Sequence, residues 1–286
     1  KHVAKLLNIS HEVIDTRDTF QKGVIDDFLH GYTTGTTPNP CVRCNERVKL
    51  RGLIDLAAAR NINYVATGHY ARLQNYQDTR VLARATDGRK DQTYFLYRLN
   101  PHWLPKLLFP LGHLEKSDVW RKESQEICFV TQGDYRTFIE KELPEAKQPG
   151  LFINEMGQPL GQHDGIAFYT PGQRRGLGIA TGQRLYVQEV RPATNTVVLG
   201  PEESLRRHEC TVSDLNLFAS HLLERSAEVQ VKVRYATPPT PAILSPLNSS
   251  SLRIQFQVPQ RALSPGQSAV FYEGDHVLGG GIIQPF

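Results

Sequence analysis

The chain has 286 residues, a net charge of +4 and 40% hydrophobic residues. This length favours two or three domains, and the apolar content excludes a disordered or low-complexity protein. No apolar run approaches the ~18 residues of a membrane span, and no signal peptide is recognisable. We therefore expect a cytoplasmic protein, a monomer, with no membrane partner.

The first segment, residues 1–135, alternates helix and strand patterns, which predicts an α/β domain with a parallel sheet. Ligands of such sheets bind at the carboxyl ends of the strands, where Gly68 and His69 lie. Because the only Met is Met156, we expect the protein to continue upstream of Lys1. The predicted elements are a helix over Lys1–Leu7, a strand over Ile9–Ile14, helices over Phe20–Leu29 and Val48–Ala59, and a strand over Asn63–Thr67.

A loop with two cysteines is predicted between the second and third of these helices. Thr33–Asn45 contains one Gly and two Pro residues, which disfavour regular structure. Cys41 and Cys44 form a C-x-x-C pair, a pattern shared by zinc sites, redox pairs and iron-sulfur ligands. We expect the start of the following helix, together with Arg43 and Arg47, to stabilise a thiolate on Cys44.

The rest of the chain predicts two β-rich units. Residues 136–206 are rich in Gly and turn signals and predict a small β connector. Residues 207–286 predict a C-terminal β-barrel, with Cys210 as a small buried residue. The predicted elements of the barrel are strands over Ala227–Arg234, Leu252–Val258, Ala269–Tyr272 and His276–Ile283, with a Pro-rich loop over Thr237–Pro246.

Six motifs resemble those of the tRNA-specific 2-thiouridylases, which place sulfur on carbon 2 of the wobble uridine (U34) of tRNA. They occur in the family's order and extend over most of the chain. The motifs are TPNPCVRCN at Thr37–Asn45, ATGHYAR at Ala66–Arg72, KDQTYFLYRL at Lys90–Leu99, FPLGHL at Phe109–Leu114, SQEICFV at Ser124–Val130 and YTPGQRRGLGI at Tyr169–Ile179.

The resemblance implies an adenine nucleotide alpha hydrolase-like domain that uses ATP with Mg²⁺, incomplete here at its N-terminus. The family's Ser-Gly-Gly-x-Asp-Ser phosphate loop does not occur in this sequence. The stretch after Val119 is also shorter than the family's by about a helix. Gly68 corresponds to a nucleotide-binding position.

The resemblance also implies the chemistry of the cysteines. Cys44 carries sulfur as a persulfide, received from a sulfur-donor protein, and Cys128 attacks the persulfide and releases the sulfur, leaving a disulfide bond. Some members carry Asp where this chain has Cys41. Cys41, Cys44 and Cys128 are therefore alternative ligands of a 4Fe-4S cluster, a second route to the same product.

Two rival functions remain open at this point: a non-catalytic tRNA-binding protein without the ATP loop, and a structural zinc protein.

Several other positions match tRNA-contacting positions of the family. Arg174 and Arg175 suit phosphate contact. The positions expected to contact tRNA are Asn39, Pro40 and Cys41 around the target base, with His69, Lys90, Asp91, Gln92, Arg234, Tyr235 and Gln267.

Overall fold

A computed structural model describes residues 1–119, 127–130, 134–179 and 182–286. The predicted shortening after Val119 lies outside these ranges. Within them, no helix is long and apolar enough to span a membrane.

The helices lie mainly in the first third of the chain. Two π-helical turns, Gln21–Ile25 and Asn45–Lys49, join short α-helices into two longer ones. These longer helices contain the predicted ones at Phe20–Leu29 and Val48–Ala59. The α-helices are α1 (His2–Leu6), α2 (Arg17–Phe20), α3 (Asp26–Thr33), α4 (Pro40–Cys44), α5 (Leu50–Ala59), α6 (Thr93–Leu96) and α7 (Tyr135–Glu142). Short 3₁₀ helices occur at Pro101–Lys106, Pro110–His113, Lys116–Asp118, Pro144–Ala146, Ile166–Phe168, Pro192–Thr194, Glu203–Leu205 and Ser220–Leu223.

The C-x-x-C pair lies on a helix, so the predicted loop over Thr33–Asn45 is wrong beyond Asn39. The Asn39 side chain caps α4 by accepting a hydrogen bond from the Val42 amide at 3.4 Å. Pro40 occupies the first helical position, where an amide proton has no partner in the helix and its loss costs nothing. Pro40, one of the prolines that suggested a loop, is therefore the first residue of the helix.

The parallel sheet is present but small. Strand β1 (Val65–Ala66) pairs in parallel with β4 (Leu107–Leu108). The strand predicted over Ile9–Ile14 is wrong: Ile9 and Val13 are 60% and 83% exposed and lie in coil. An apolar run forms a strand only beside a partner, and no described strand lies alongside this one.

The central β unit has the predicted strand-rich character. Its four strands follow the order β6-β5-β8-β7, with β5 and β8 parallel and the other pairs antiparallel. Phe152 and Phe168 share a core with Phe28 of α3, so this unit packs directly on the first domain. The strands are β5 (Gly150–Asn154), β6 (Pro159–His163), β7 (Tyr186–Arg191) and β8 (Thr196–Gly200).

The C-terminal strands form a closed six-stranded barrel. They follow the order β13-β10-β11-β12-β9-β14, and pairing of β13 with β14 closes the ring. Cys210 is buried in β9, as predicted. The strands are β9 (Arg206–Leu217), β10 (Ala227–Lys232), β11 (Thr240–Asn248), β12 (Ser251–Arg261), β13 (Ser268–Glu273) and β14 (His276–Ile283).

Two features of the barrel differ from the sequence-based expectation. The Pro-rich stretch is a loop only over its first three residues, because strand β11 begins at Thr240. Pro241 lies near the start of this strand and Pro246 adjoins a bulge, where a missing amide proton is tolerated. The hairpin β2 (Arg72–Tyr76) and β3 (Thr79–Ala83) of the first domain also extends the barrel sheet beside β14.

One barrel turn contacts the segment that leads into α4. Gly266 has φ +88°, and a Cβ there would lie 2.8 Å from Thr36 Cβ and 2.9 Å from the Thr37 amide nitrogen. The Thr37 amide also donates to the Pro265 carbonyl at 2.7 Å. The barrel therefore supports the start of the cysteine helix.

We expect Gly266→Ala to destabilise the protein more than Gly274→Ala. Gly274 also has positive φ, +55°, but nothing lies within 4 Å of its added Cβ. In the control, the free energy of unfolding falls only by the cost of the left-handed backbone, about 1–2 kcal/mol. Gly266→Ala adds an overpacking cost of roughly 1–3 kcal/mol. Urea unfolding of the two variants measures the difference, and equal stabilities would show that the contact with Thr36 and Thr37 relaxes freely.

Candidate active site

The Cys44 thiol is buried at the end of α4. It is 5% exposed and packs with Val24 and Val48, and Phe20 and Phe129 cover this small cluster. Burial raises the pKa of Cys44 because the thiolate is poorly solvated there. A positive charge on Lys49 opposes the shift.

Phe129 anchors the segment that carries Cys128. Its ring lies edge-on to three aromatic rings, at centroid distances of 5.7 Å from Phe20, 5.3 Å from Phe28 and 5.1 Å from Phe138. Cys128 itself is exposed. The packing of Phe129 thus holds Cys128, which is 84 residues away from Cys44 in the sequence, beside the cluster that buries Cys44.

The three thiols predicted to act together are near one another. Burial raises the pKa of Cys41, and a charge on Cys128 raises it further. The pKa of Cys44, raised mainly by burial, also responds to charges on Cys128 and Cys41. Because charge effects fall with distance, these couplings require proximity. All four cysteines are free thiols.

The expected stabilisation of a Cys44 thiolate by Arg43 and Arg47 is wrong. Arg43 binds Asp214 at 2.8 Å and Glu46 at 3.1 Å, and Arg47 binds Asp27 at 2.9 Å. Their charges are compensated by these carboxylates. The helix also begins at Pro40, so Cys44 lies a turn beyond the positive end of the helix.

Lys49 is the cation that the sequence analysis missed. It lowers the pKa of Cys44 and of Cys41 against the larger effect of burial, and it pairs with no described carboxylate. In an α-helix, residues five apart point in different directions. The π-helical turn Asn45–Lys49 changes that spacing, and no sequence pattern signalled it.

His69 belongs to the same region. Burial lowers its pKa to about 4, and the charge of Lys49 contributes to the shift. Its Nδ1 lies 2.8 Å from Thr67 Oγ1. His69 is therefore neutral at physiological pH and acts as a hydrogen-bonding group, not as a cation for phosphate. Neighbouring Gly68 is exposed, and a Cβ there would meet only Leu111, at 3.6 Å.

The cysteines do not form a metal site in the described residues. No group of three or more His, Cys, Asp or Glu side chains within the described ranges is placed to hold a metal ion. Cys41, Cys44 and Cys128 all lie within those ranges. The arrangement therefore does not fit the three-cysteine cluster, and no step is assigned to one.

Two residues expected to contact tRNA, Asp91 and Gln92, have hydrogen-bond partners within the protein. Asp91 is 4% exposed and accepts hydrogen bonds from the Ala85 amide at 3.1 Å and the Thr93 hydroxyl at 2.7 Å. Gln92 and Tyr70 exchange two hydrogen bonds at 2.8 Å, which hold the strand end that carries His69. The prediction that Asp91 touches tRNA does not fit its burial, and we assign it a structural role.

Tyr235 and Lys90 are partly exposed, and both have partners within the protein. Tyr235 packs against Phe95 at a ring-centroid distance of 4.5 Å. The Lys90 amide donates to the Asp87 carbonyl at 3.0 Å. Asn39 and Pro40, as the cap and first residue of α4, position the cysteines.

A cleft of about 740 Å³ lies where the three parts of the chain meet. Gln267 of the barrel donates to the Thr37 carbonyl at 2.8 Å along its wall, and Tyr32 stacks on Tyr135 at 5.0 Å. Thr37 is four residues from Cys41. The lining includes Tyr32, Thr37, Asp134, Tyr135, Arg136, Phe168, Thr170, Gln173, Arg175, Arg234, Ser264 and Gln267.

Two arginines of the cleft have uncompensated charge. Arg136 pairs with Asp164 at 2.7 Å, but Arg175 and Arg234 form no ion pair with a carboxylate of the described residues. Arg234 donates instead to the Ala262 carbonyl and the Ser264 hydroxyl, and burial lowers its pKa. Arg175 is exposed and Arg234 is partly buried, and arginines without a carboxylate partner suit phosphate oxygens.

Known proteins share this combination of domains and motifs. Family models described as a tRNA methyl transferase HUP domain, a tRNA methyl transferase PRC-barrel domain and an aminomethyltransferase beta-barrel domain match residues 1–132, 136–201 and 207–283. The tRNA-specific 2-thiouridylase MnmA of Pelotomaculum thermopropionicum is 42% identical over 298 residues, covering 99% of this chain and 81% of that protein. The chain belongs to the MnmA family.

Other MnmA proteins match this chain to a similar extent. MnmA of Acetivibrio thermocellus is 42% identical over 299 residues, and MnmA 1 of Clostridium botulinum (strain Loch Maree) is 40% identical over 296, each covering 99% of this chain and 83% of the relative. These alignments are longer than the chain, so these MnmA proteins contain internal residues without a counterpart here. The MnmA relationship confirms the resemblance that the six motifs indicated.

We expect Lys49→Gln to slow alkylation of Cys41 and Cys44 by iodoacetamide at neutral pH. Loss of the cation removes the effect that lowers both thiol pKa values, so fewer thiolates form at a given pH. Peptide mass spectrometry across a pH series measures the rates. Arg51→Gln is the matched control, because Arg51 is on α5 but pairs with Asp55 at 3.4 Å. Identical profiles for Lys49→Gln and wild type would remove Lys49 from the site.

Proposed function

We propose that this protein thiolates carbon 2 of the wobble uridine of tRNA through a relay between Cys44 and Cys128. The observation that carries the proposal is the anchoring of Phe129, which holds Cys128 beside the cluster that buries Cys44. Two thiols within reach of each other are what persulfide chemistry needs: one carries sulfur and the other breaks the S–S bond.

Exposure argues for the reverse of the roles expected from sequence. A sulfur-donor protein must reach the thiol that it loads, and Cys128 is exposed whereas Cys44 is 5% exposed. We therefore assign the persulfide to Cys128. The terminal sulfur of Cys128 forms the bond to carbon 2, and the Cys44 thiolate then attacks Cys128 Sγ. The S–S bond to the transferred sulfur breaks, that sulfur remains on the uridine, and Cys44 and Cys128 are left as a disulfide.

ATP with Mg²⁺ supplies the activation of the C2 oxygen as a leaving group. Among the described residues, Gly68 fits a nucleotide, because it is exposed at the end of β1 and leaves the space of a side chain open. His69 beside it remains neutral and offers a hydrogen bond to the nucleotide or the tRNA.

The cleft between the three units supports tRNA binding in this proposal. Arg175 and Arg234 lack carboxylate partners among the described residues and suit backbone phosphates. Thr37 connects the cleft directly to the turn that carries Cys41 and Cys44. The target uridine would leave its stack and reach the thiols from this side.

The rival of a non-catalytic tRNA-binding protein makes a different prediction. It requires the cleft but gives no reason for Cys128 to be held beside Cys44. The relay and the rival are therefore separated by variants of the cysteines that leave the cleft intact.

We expect Cys44→Ser to abolish thiouridine formation while leaving tRNA affinity nearly unchanged, because a hydroxyl cannot break the persulfide bond. After loading with glutathione persulfide, mass spectrometry should find the extra sulfur on Cys128 in this variant. Cys210→Ala, in the barrel, is the control and should keep activity. Normal thiolation by Cys44→Ser would refute the relay, and extra sulfur on Cys44 in Cys128→Ser would restore the order expected from sequence.

We expect Arg234→Gln and Arg175→Gln each to lower the salt dependence of tRNA binding by up to about one unit of slope. Each removes a cation from the cleft, and with it the counterions released on binding. Arg253→Gln, on the exposed face of β12, is the control. Filter binding over a salt series measures the slopes, and slopes equal to that of the control would exclude phosphate contact in the cleft.

A further inference from the structure

The relay leaves one thiol of the site without a role. Cys41 is the second residue of α4 and Cys44 the fifth, so they lie one turn apart on the same helix. Helical geometry places Cα atoms three residues apart at about 5 Å, within the range that disulfides span. Cys41 is partly exposed and Cys44 is buried.

Cys41 is also near the third thiol. A charge on Cys128 is the largest charge effect at Cys41, second only to burial, whereas at Cys44 it ranks behind Lys49. Phe129, next to Cys128 in the sequence, packs on the cluster that contains Cys44. Cys44 is therefore the thiol that both Cys41, on the same helix, and Cys128, beside Phe129, adjoin.

We propose that Cys41 takes over the disulfide from Cys128 and thereby frees Cys128 for the next load of sulfur. The proposal rests on the relay, which leaves a Cys44–Cys128 disulfide after each transfer. The Cys41 thiolate attacks Cys44 Sγ, a Cys41–Cys44 bond forms, and Cys128 leaves as a thiolate that takes up the proton lost by Cys41. This exchange involves no net oxidation or reduction. A dithiol reductant then reduces the Cys41–Cys44 disulfide with two electrons.

The positions of the thiols suit this direction of exchange. Cys128 is exposed, so water solvates its thiolate and makes it a good leaving group. Cys41 attacks from the same helical turn as Cys44, and the helix keeps their Cα atoms within the separation that a disulfide spans. Cys128, by contrast, is held through Phe129 on a separate segment.

Disulfide mapping of the whole protein tests the proposal without tRNA or ATP. The protein is oxidised with one equivalent of diamide, free thiols are alkylated, and disulfide peptides are identified by mass spectrometry. We expect wild type to contain mainly Cys41–Cys44 with Cys128 alkylated, and Cys41→Ser to contain Cys44–Cys128. Cys210→Ala should match wild type. A wild-type map dominated by Cys44–Cys128, with Cys41 alkylated, would overturn the proposal even if the serine variant failed to fold.

Turnover kinetics provide a second readout. In Cys41→Ser we expect a first burst of about one thiouridine per protein, followed by a steady-state rate lowered on the order of tenfold, because Cys128 is regenerated more slowly. A steady-state rate equal to wild type would contradict the transfer of the disulfide. A wild-type protein that forms no thiouridine at all would refute the relay itself, whereas the disulfide map judges Cys41 independently of thiolation.

Discussion

The start of α4 at Asn39 and Pro40 is the constraint on which the candidate site depends. The Asn39 side chain satisfies the Val42 amide, and Pro40 fills the one position where a missing amide proton has no cost. Cys41 and Cys44 therefore lie on the same helix, three residues and about one turn apart. Had the helix begun after Asn45, the same two thiols would be on a loop with no defined separation.

The barrel also contributes a carboxylate that contacts the candidate site. Arg43 and Glu46, next to the cysteines, share a network with Arg98, which is 9% exposed, and with Asp214 of β9. Arg98 binds Glu46 at 2.9 Å and Asp214 at 3.0 Å. Because both guanidinium groups meet the same barrel carboxylate, the orientation of the cysteine helix is coupled to the barrel. Arginine suits this role through its fixed, multiply donating geometry.

The distribution of paired and unpaired cations separates structural from functional charge. Arg43, Arg47 and Arg98 are compensated by carboxylates and hold elements together. Lys49 beside the thiols and Arg234 in the cleft form no ion pair with the described carboxylates. Lys49 is exposed and Arg234 is partly buried, so leaving the charge uncompensated is costly only at Arg234.

The sequence by itself determined the family and the order of α/β, β-rich and barrel units, and it predicted the candidate cysteines, because these depend on local patterns and long motifs. It did not determine that α4 begins at Pro40, that β11 tolerates two prolines, or that Arg43 and Arg47 are neutralised. Those outcomes depend on partners far along the chain: an Asp214 carboxylate for Arg43, neighbouring strands for β11, and aromatic rings that hold Phe129 and with it Cys128. Ion pairing, strand pairing and burial are properties of contacts between distant segments. Only the tertiary structure therefore decided which charged groups lie near each thiol and how exposed each thiol is.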